Sequence, residues 1–201
     1  MFAVLLKQSV QTHLFEDVFP YQQPGVSLMN KSFKVLPLIA SLAAASAFAQ
    51  SPPPSDVTPP AGNKAALTLV GVGDLTYECK AVADKPGTFA WTFAGPMAKL
   101  IDADKKEVGK YFAGPTWAAN DGSAVTGKQI AVSPGPAGAI PLQLVQAAPS
   151  TGKGAMSDVT YIQRLKTVGG VAPASPACAA ANAGARTTVP YQADYVFYKK
   201  G

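Results

Sequence analysis

The chain has 201 residues, with 17 Lys and Arg against 12 Asp and Glu, a formal net charge of +5 and a single histidine, His13. Residues 50–201 contain no imidazole, which argues against Ser-His-Asp hydrolysis, Cys-His chemistry and histidine-based zinc or copper sites. Their small excess of positive charge is spread along the chain and forms no basic stripe, so no nucleic-acid partner is expected.

The first legible element is Met29-Asn30-Lys31-Ser32-Phe33-Lys34 followed by an apolar run from Val35 to Phe48 and the small-residue end Ala47-Phe48-Ala49. A short basic region, an apolar stretch too short to span a bilayer comfortably and small residues at the cleavage positions describe a secretory signal peptide over 29–49. Cleavage is expected after Ala49, giving a periplasmic or secreted product with no transmembrane segment in the mature chain. Residues 1–28, with Glu16, Asp17 and two prolines, read as a start-site misassignment or a disordered stretch. Residues 50–64 are rich in proline and read as an extended linker, leaving a single domain over 65–201.

From there the chain alternates short apolar runs with turn residues. Ala65–Val72 is apolar and ends at Gly71 and Gly73, read as a turn. In Leu75–Val82, Tyr77, Cys79 and Ala81 share one face and Thr76, Glu78 and Lys80 the other, the period of a half-buried strand. Pro86-Gly87 turns the chain into Phe89–Phe93, closed by Gly95-Pro96. Met97–Ile101 and Glu107–Phe112 flank a polar hairpin bend at Asp102–Lys106. Ala124–Val132 follows the turn signal Asn120-Asp121-Gly122; Ile140–Ala147 and Val159–Val168 are joined by a Gly-rich loop. In the second of these, Arg164 falls opposite the Tyr161 face. A long alanine- and proline-rich loop around Cys178 leads to Thr188–Tyr198, where Val189, Tyr191, Ala193, Tyr195 and Phe197 share one parity. The expected fold is all-β: a single-domain antiparallel sandwich or barrel of about eight or nine strands with long loops.

Cys79 and Cys178 are an even pair in a chain expected to be exported, and are read as one disulfide; a catalytic thiol would lack a histidine base. Gly122–Lys128 matches a phosphate-binding loop until Gln129 replaces the final hydroxyl, and the sequel reads as a strand, so a hairpin turn is expected. Asp102-Ala103-Asp104 opens like a calcium loop, but Glu107 and Ala113 stand where glycine and glutamate belong. No metal or cofactor is expected. Amphipathic rings beside polar loops suit glycan surfaces and equally suit β-cores. Trp91 reads first as core; Trp117, next to Asn120, Asp121 and Ser123, is open between the two. Arg164 is suited to an acidic ligand, to an internal salt bridge or to a solvated edge.

Taken together, Tyr77-x-Cys79, Trp91-x-Phe93-x-Gly95-Pro96, Ala113-Gly114-Pro115-Thr116-Trp117, Asp121-Gly122-Ser123, Val159-x-Tyr161-Ile162-Gln163-Arg164 and Pro190-Tyr191-x-Ala193-x-Tyr195-x-Phe197-Tyr198 resemble the domain of unknown function 3455 family of exported bacterial and fungal proteins. The resemblance covers about residues 65–198 and implies export, one compact domain and pairing of the two cysteines. Members often carry histidine where this chain has Tyr111.

The leading expectation is a non-enzymatic domain binding a ligand or surface, with a glycan or other cell-envelope component as the candidate partner and Trp117, Asp121, Tyr161, Arg164 and Trp91 as ligand-binding candidates. One alternative is a hydrolase using paired carboxylates, Asp121 with Asp102 or Glu78. The other is a structural or stress-related envelope protein.

Overall fold

The computed structural model describes residues 54–201; the expected signal peptide 29–49, the segment 1–28 and the first residues of the linker lie outside the described residues. Among the described residues, eight antiparallel strands form one closed barrel in chain order. They are β1 (Asn63–Ala81), β2 (Phe89–Ile101), β3 (Glu107–Phe112), β4 (Thr116–Ala119), β5 (Ala124–Ser133), β6 (Leu142–Ala147), β7 (Val159–Gly169) and β8 (Arg186–Lys200). Closure comes from β8 pairing with β1 along its length, from Asn63 opposite Lys200 to Glu78 opposite Arg186. The fold is all-β, as the alternation in the sequence requires. No helix of the described residues is long and apolar enough to cross a membrane.

The eight strands match the expected count, but several are longer than the turn residues suggested. Gly71 and Gly73 do not turn the chain; they lie inside β1, which runs on through both. A Cβ on Gly71 would sit 2.5 Å from a ring carbon of Tyr195, so glycine here makes room inside the barrel for that ring. Gly95-Pro96 does not end a strand either. Thr76 pairs with Gly95 and Tyr77 with Phe93, so Ala94 is an extra residue, a bulge that bends β2 without breaking it. The unanticipated strand is β4, whose four residues are too few for an alternating pattern to register.

The inward faces build an aromatic core. Trp117 stacks on Tyr111 with centroids 4.5 Å apart and planes at 13°, and meets Tyr195 and Phe197 edge-on. Trp117, Tyr195, Phe197, Leu69, Leu100 and Ile162 are all fully buried. An eight-stranded barrel is just wide enough for its side chains to fill. Each aromatic pair adds about 0.5–1.5 kcal/mol beyond the area it buries.

Two segments outside the strands complete the domain. Val57, expected to lie in an extended linker, is fully buried as the last residue of a 3-10 turn (Ser55–Val57). Its carbonyl accepts from Gln163 Nε2 at 2.7 Å, and Gln163 Oε1 accepts from the Tyr198 hydroxyl at 2.8 Å. A glutamine on the outer face of β7 is thereby buried with both ends of its amide satisfied. At the end of the barrel where β1 leads into β2, the Cys79–Cys178 disulfide ties the long β7–β8 loop to β1 across 99 residues of sequence. Closing a loop of that length is worth up to about 4–5 kcal/mol in the chain-entropy model.

Replacing Gly71 by valine drives two methyl groups and a Cβ toward the Tyr195 ring. The expected loss is about 1–3 kcal/mol, read as a lower urea midpoint at unchanged m-value. An unchanged midpoint would contradict the close approach.

Candidate functional site

The barrel has two unlike ends. One carries the β2–β3, β4–β5 and β6–β7 connections; the other, the mouth, carries the β1–β2, β3–β4 and β5–β6 connections and the disulfide-bonded β7–β8 loop.

The five ligand-binding candidates are dispersed over these regions. Trp117 pairs with Tyr111 and Val125 on the inward face of β4 and has no exposed surface, which removes it from contact with a ligand on the protein's exterior. Its polar neighbours Asn120 and Asp121 belong to the following turn and say nothing about the pleat that turns its ring inward. Trp91, opposite Cys79, is half-buried against the core, as its first reading had it. Tyr161 sits on the outer face beside Gln146 and Tyr198.

Asp121 lies at the end opposite the mouth, where it clamps two loops together. Its Oδ1 accepts from Ser123 N at 2.9 Å and Ser123 Oγ at 2.6 Å, and its Oδ2 accepts from Ala155 N at 2.7 Å. Gly154 permits this, since a Cβ there would lie 2.2 Å from Asp121 Oδ2. The Ser123 hydroxyl, then the Ala155 and Ser123 amides, hold the carboxyl below its ordinary range.

Of the carboxylate pairs that a hydrolase would need, Asp102 and Asp121 do line one concavity, of about 440 Å³, together with Glu107. Each is tied locally: Asp102 Oδ1 accepts from Lys106 N at 2.9 Å and Glu107 pairs with Lys99 at 2.9 Å. Glu78 is elsewhere, paired with Arg186 and Lys80. A glycosidase acid needs a carboxyl whose pKa is raised; Asp121 is moved the other way.

Arg164 faces the mouth. It shares the inward parity of Ile162, with Gln143 and Tyr195 as its neighbours on β6 and β8. Its Nε and Nη2 donate to Pro141 O at 3.2 and 2.9 Å, which fixes the guanidinium plane over a cavity of about 280 Å³. Leu75, Phe93, Pro96 and Ile140 supply apolar walls; Tyr77, Tyr111, Gln129 and Gln143 supply polar groups. Gln143 Nε2 donates to Gln129 Oε1 between the neighbouring strands β6 and β5 on one wall of the cavity. The Tyr77 hydroxyl donates to Gly170 O at 2.6 Å, linking the cavity wall to the start of the disulfide-bonded loop.

Burial pushes the phenols of Tyr77, Tyr111, Tyr191 and Tyr195 upward, against the pull of the nearby Arg164 charge. They therefore stay neutral at physiological pH and cannot balance the guanidinium. Sequence reasoning located Arg164 on its face but missed Gln129, Gln143 and Ile140. The only signal for Gln129 and Gln143 was strand parity, which a bulge between Gln129 and Ala131 interrupts in β5, and Ile140, expected to open a strand, lies ahead of β6 outside any strand.

A family model described as "Protein of unknown function (DUF3455)" matches residues 60–199. No curated protein and no solved structure matches the chain.

The Asp121 clamp makes a pH prediction. Its folded pKa lies below the ordinary carboxyl value of 3.8. The stability it contributes is therefore present above that value and is lost as pH falls through the lowered one. Asp121→Asn should unfold more readily at neutral pH, and its deficit should shrink as wild type is acidified. A deficit independent of pH would show that the charge is not what holds the loops.

Proposed function

The chain belongs to the DUF3455 family, whose members are of unknown function, and from that premise we propose that it is an exported, non-enzymatic domain that binds a small ligand in the mouth of its barrel, with a glycan of the cell envelope as the candidate. The observation that carries this reading is the cavity under Arg164, where apolar walls, aromatic rings and a few convergent polar groups meet in one concavity. Trp117 serves indirectly, as the ring on which Tyr111 of the cavity wall is stacked.

Export is supported by the signal-like stretch ending at Ala49 and by a disulfide, a bond that persists in oxidising compartments. A binding role rather than catalysis is supported by the absence of histidine from residues 50–201 and by the structural work the candidate carboxylates already do.

Two measurements test this. Amino-terminal sequencing of the protein recovered outside the cytoplasm should begin at Gln50; a mature end upstream of Met29 would sink the signal peptide over 29–49, and recovery in the cytoplasm alone would sink the export reading. Gln143→Trp keeps a residue suited to a strand and fills the mouth. It should abolish retention on purified cell-envelope glycans while the thermal midpoint is kept, and full retention by this variant would rule out the mouth.

A further inference from the structure

Arg164 is the one charged side chain lining the mouth cavity, and it takes part in none of the four ion pairs among the described residues. Two of the five N–H groups of its guanidinium go to the Pro141 carbonyl and it also interacts with the Tyr195 hydroxyl, so part of the fork remains for a group entering from solvent. Planar and oriented by the Pro141 carbonyl, the guanidinium keeps N–H groups on Nη1 and Nη2 that suit the oxygens of a carboxylate. The neighbouring phenols are neutral, so no group lining the cavity supplies a countercharge and a ligand can bring one.

The rest of the cavity narrows the choice. A single cation balances a single negative charge, whereas a dianionic phosphate would bring a second charge for which the cavity lining offers no partner. Phe93 is 52% exposed and meets Tyr77 edge-on at 5.9 Å, leaving a ring surface at the entrance. The Gln143–Gln129 hydrogen bond uses one amide end of each residue. The Gln143 carbonyl oxygen and the Gln129 amide nitrogen remain for hydroxyl groups.

We propose that the mouth binds a small ring-borne monocarboxylate, of the uronic-acid type, with its carboxylate on the Arg164 guanidinium and its ring against Phe93 and Tyr77. This rests on the reading of the mouth as the binding site. The shared chemistry is a monocarboxylate on a ring; the hydroxyl partners at Gln129 and Gln143 favour a sugar acid over an aromatic acid.

The test is calorimetric titration of the disulfide-bonded mature protein with galacturonate, its neutral methyl ester, galactose, benzoate and inorganic phosphate. Galacturonate should bind, and the ester and galactose at least about tenfold more weakly, since each lacks the charge. Arg164→Met should lose galacturonate binding by a similar factor, and Arg164→Lys, which keeps the charge but not the fork, should fall between. If Arg164→Met does not fold, the acid and its ester on wild type make the same comparison.

Galactose binding as tightly as galacturonate, with loss only in Gln143→Trp, would overturn the carboxylate and leave the mouth as the site. Phosphate binding more tightly than either acid would overturn the monoanion. Benzoate binding in place of galacturonate would keep the carboxylate and remove the sugar. Retention on envelope glycans that survives Gln143→Trp, with no probe bound, would overturn the inference and the reading beneath it together.

Discussion

Everything in this domain depends on the first strand finding the last. The β1–β8 ladder closes the sheet, and closure removes the two edges that a meander would otherwise expose. It is also the most non-local pairing available, joining residues more than a hundred positions apart, so the loop-closure cost is large and must be recovered inside the barrel. The recovery comes from rings. Tyr195 and Phe197 on β8 meet Trp117 on β4 across the interior, and Gly71 on β1 leaves the space Tyr195 occupies. The disulfide, also on β1, fastens the approach to β8 at the mouth end, where Cys79 exchanges backbone hydrogen bonds with Gly184 and Ala185.

How much of this the sequence disclosed depends on what each residue had to signal. β8 was legible in type and inward face, because Val189, Tyr191, Ala193, Tyr195 and Phe197 alternate without interruption, though it runs two residues further at each end than Thr188–Tyr198. β7 was legible only in part. A register shift between Val159 and Tyr161 puts Val159 and Ile162 in the same core, against strict parity, while Arg164 keeps its expected face. Gly71 misled because a glycine that makes way for a ring looks the same in a sequence as a glycine that turns a chain. Val57 was hidden among prolines, and only the barrel wall it covers explains its burial. Trp117 shows the same limit at the candidate site: its polar neighbours follow it in the chain, whereas its surroundings are Tyr111, Tyr195 and Phe197.

The division between the two ends follows from the same fill. Aromatic bulk occupies the barrel around Trp117, and the end beyond it is bound together by the Asp121 clamp. Toward the mouth the side chains become polar, with Gln129, Gln143, Tyr77 and Arg164 around a space they do not fill. Arg164 is the one charged group lining that space, and the proposed carboxylate ligand is what would pair with it. Tyr77 couples that space to the loop held by Cys178, so the cavity wall and the covalent fastening of the barrel form one continuous structure.

The chain has only two arginines, Arg164 at the mouth and Arg186 paired with Glu78 on the outer surface. Their side-chain Nε–H resonances in a nitrogen-correlated NMR spectrum therefore report the central claim with an internal reference. On titration with galacturonate, the Arg164 resonance should shift progressively while that of Arg186 stays in place. A spectrum in which Arg164 does not move at a concentration that saturates binding, or in which Arg186 moves instead, would contradict the account.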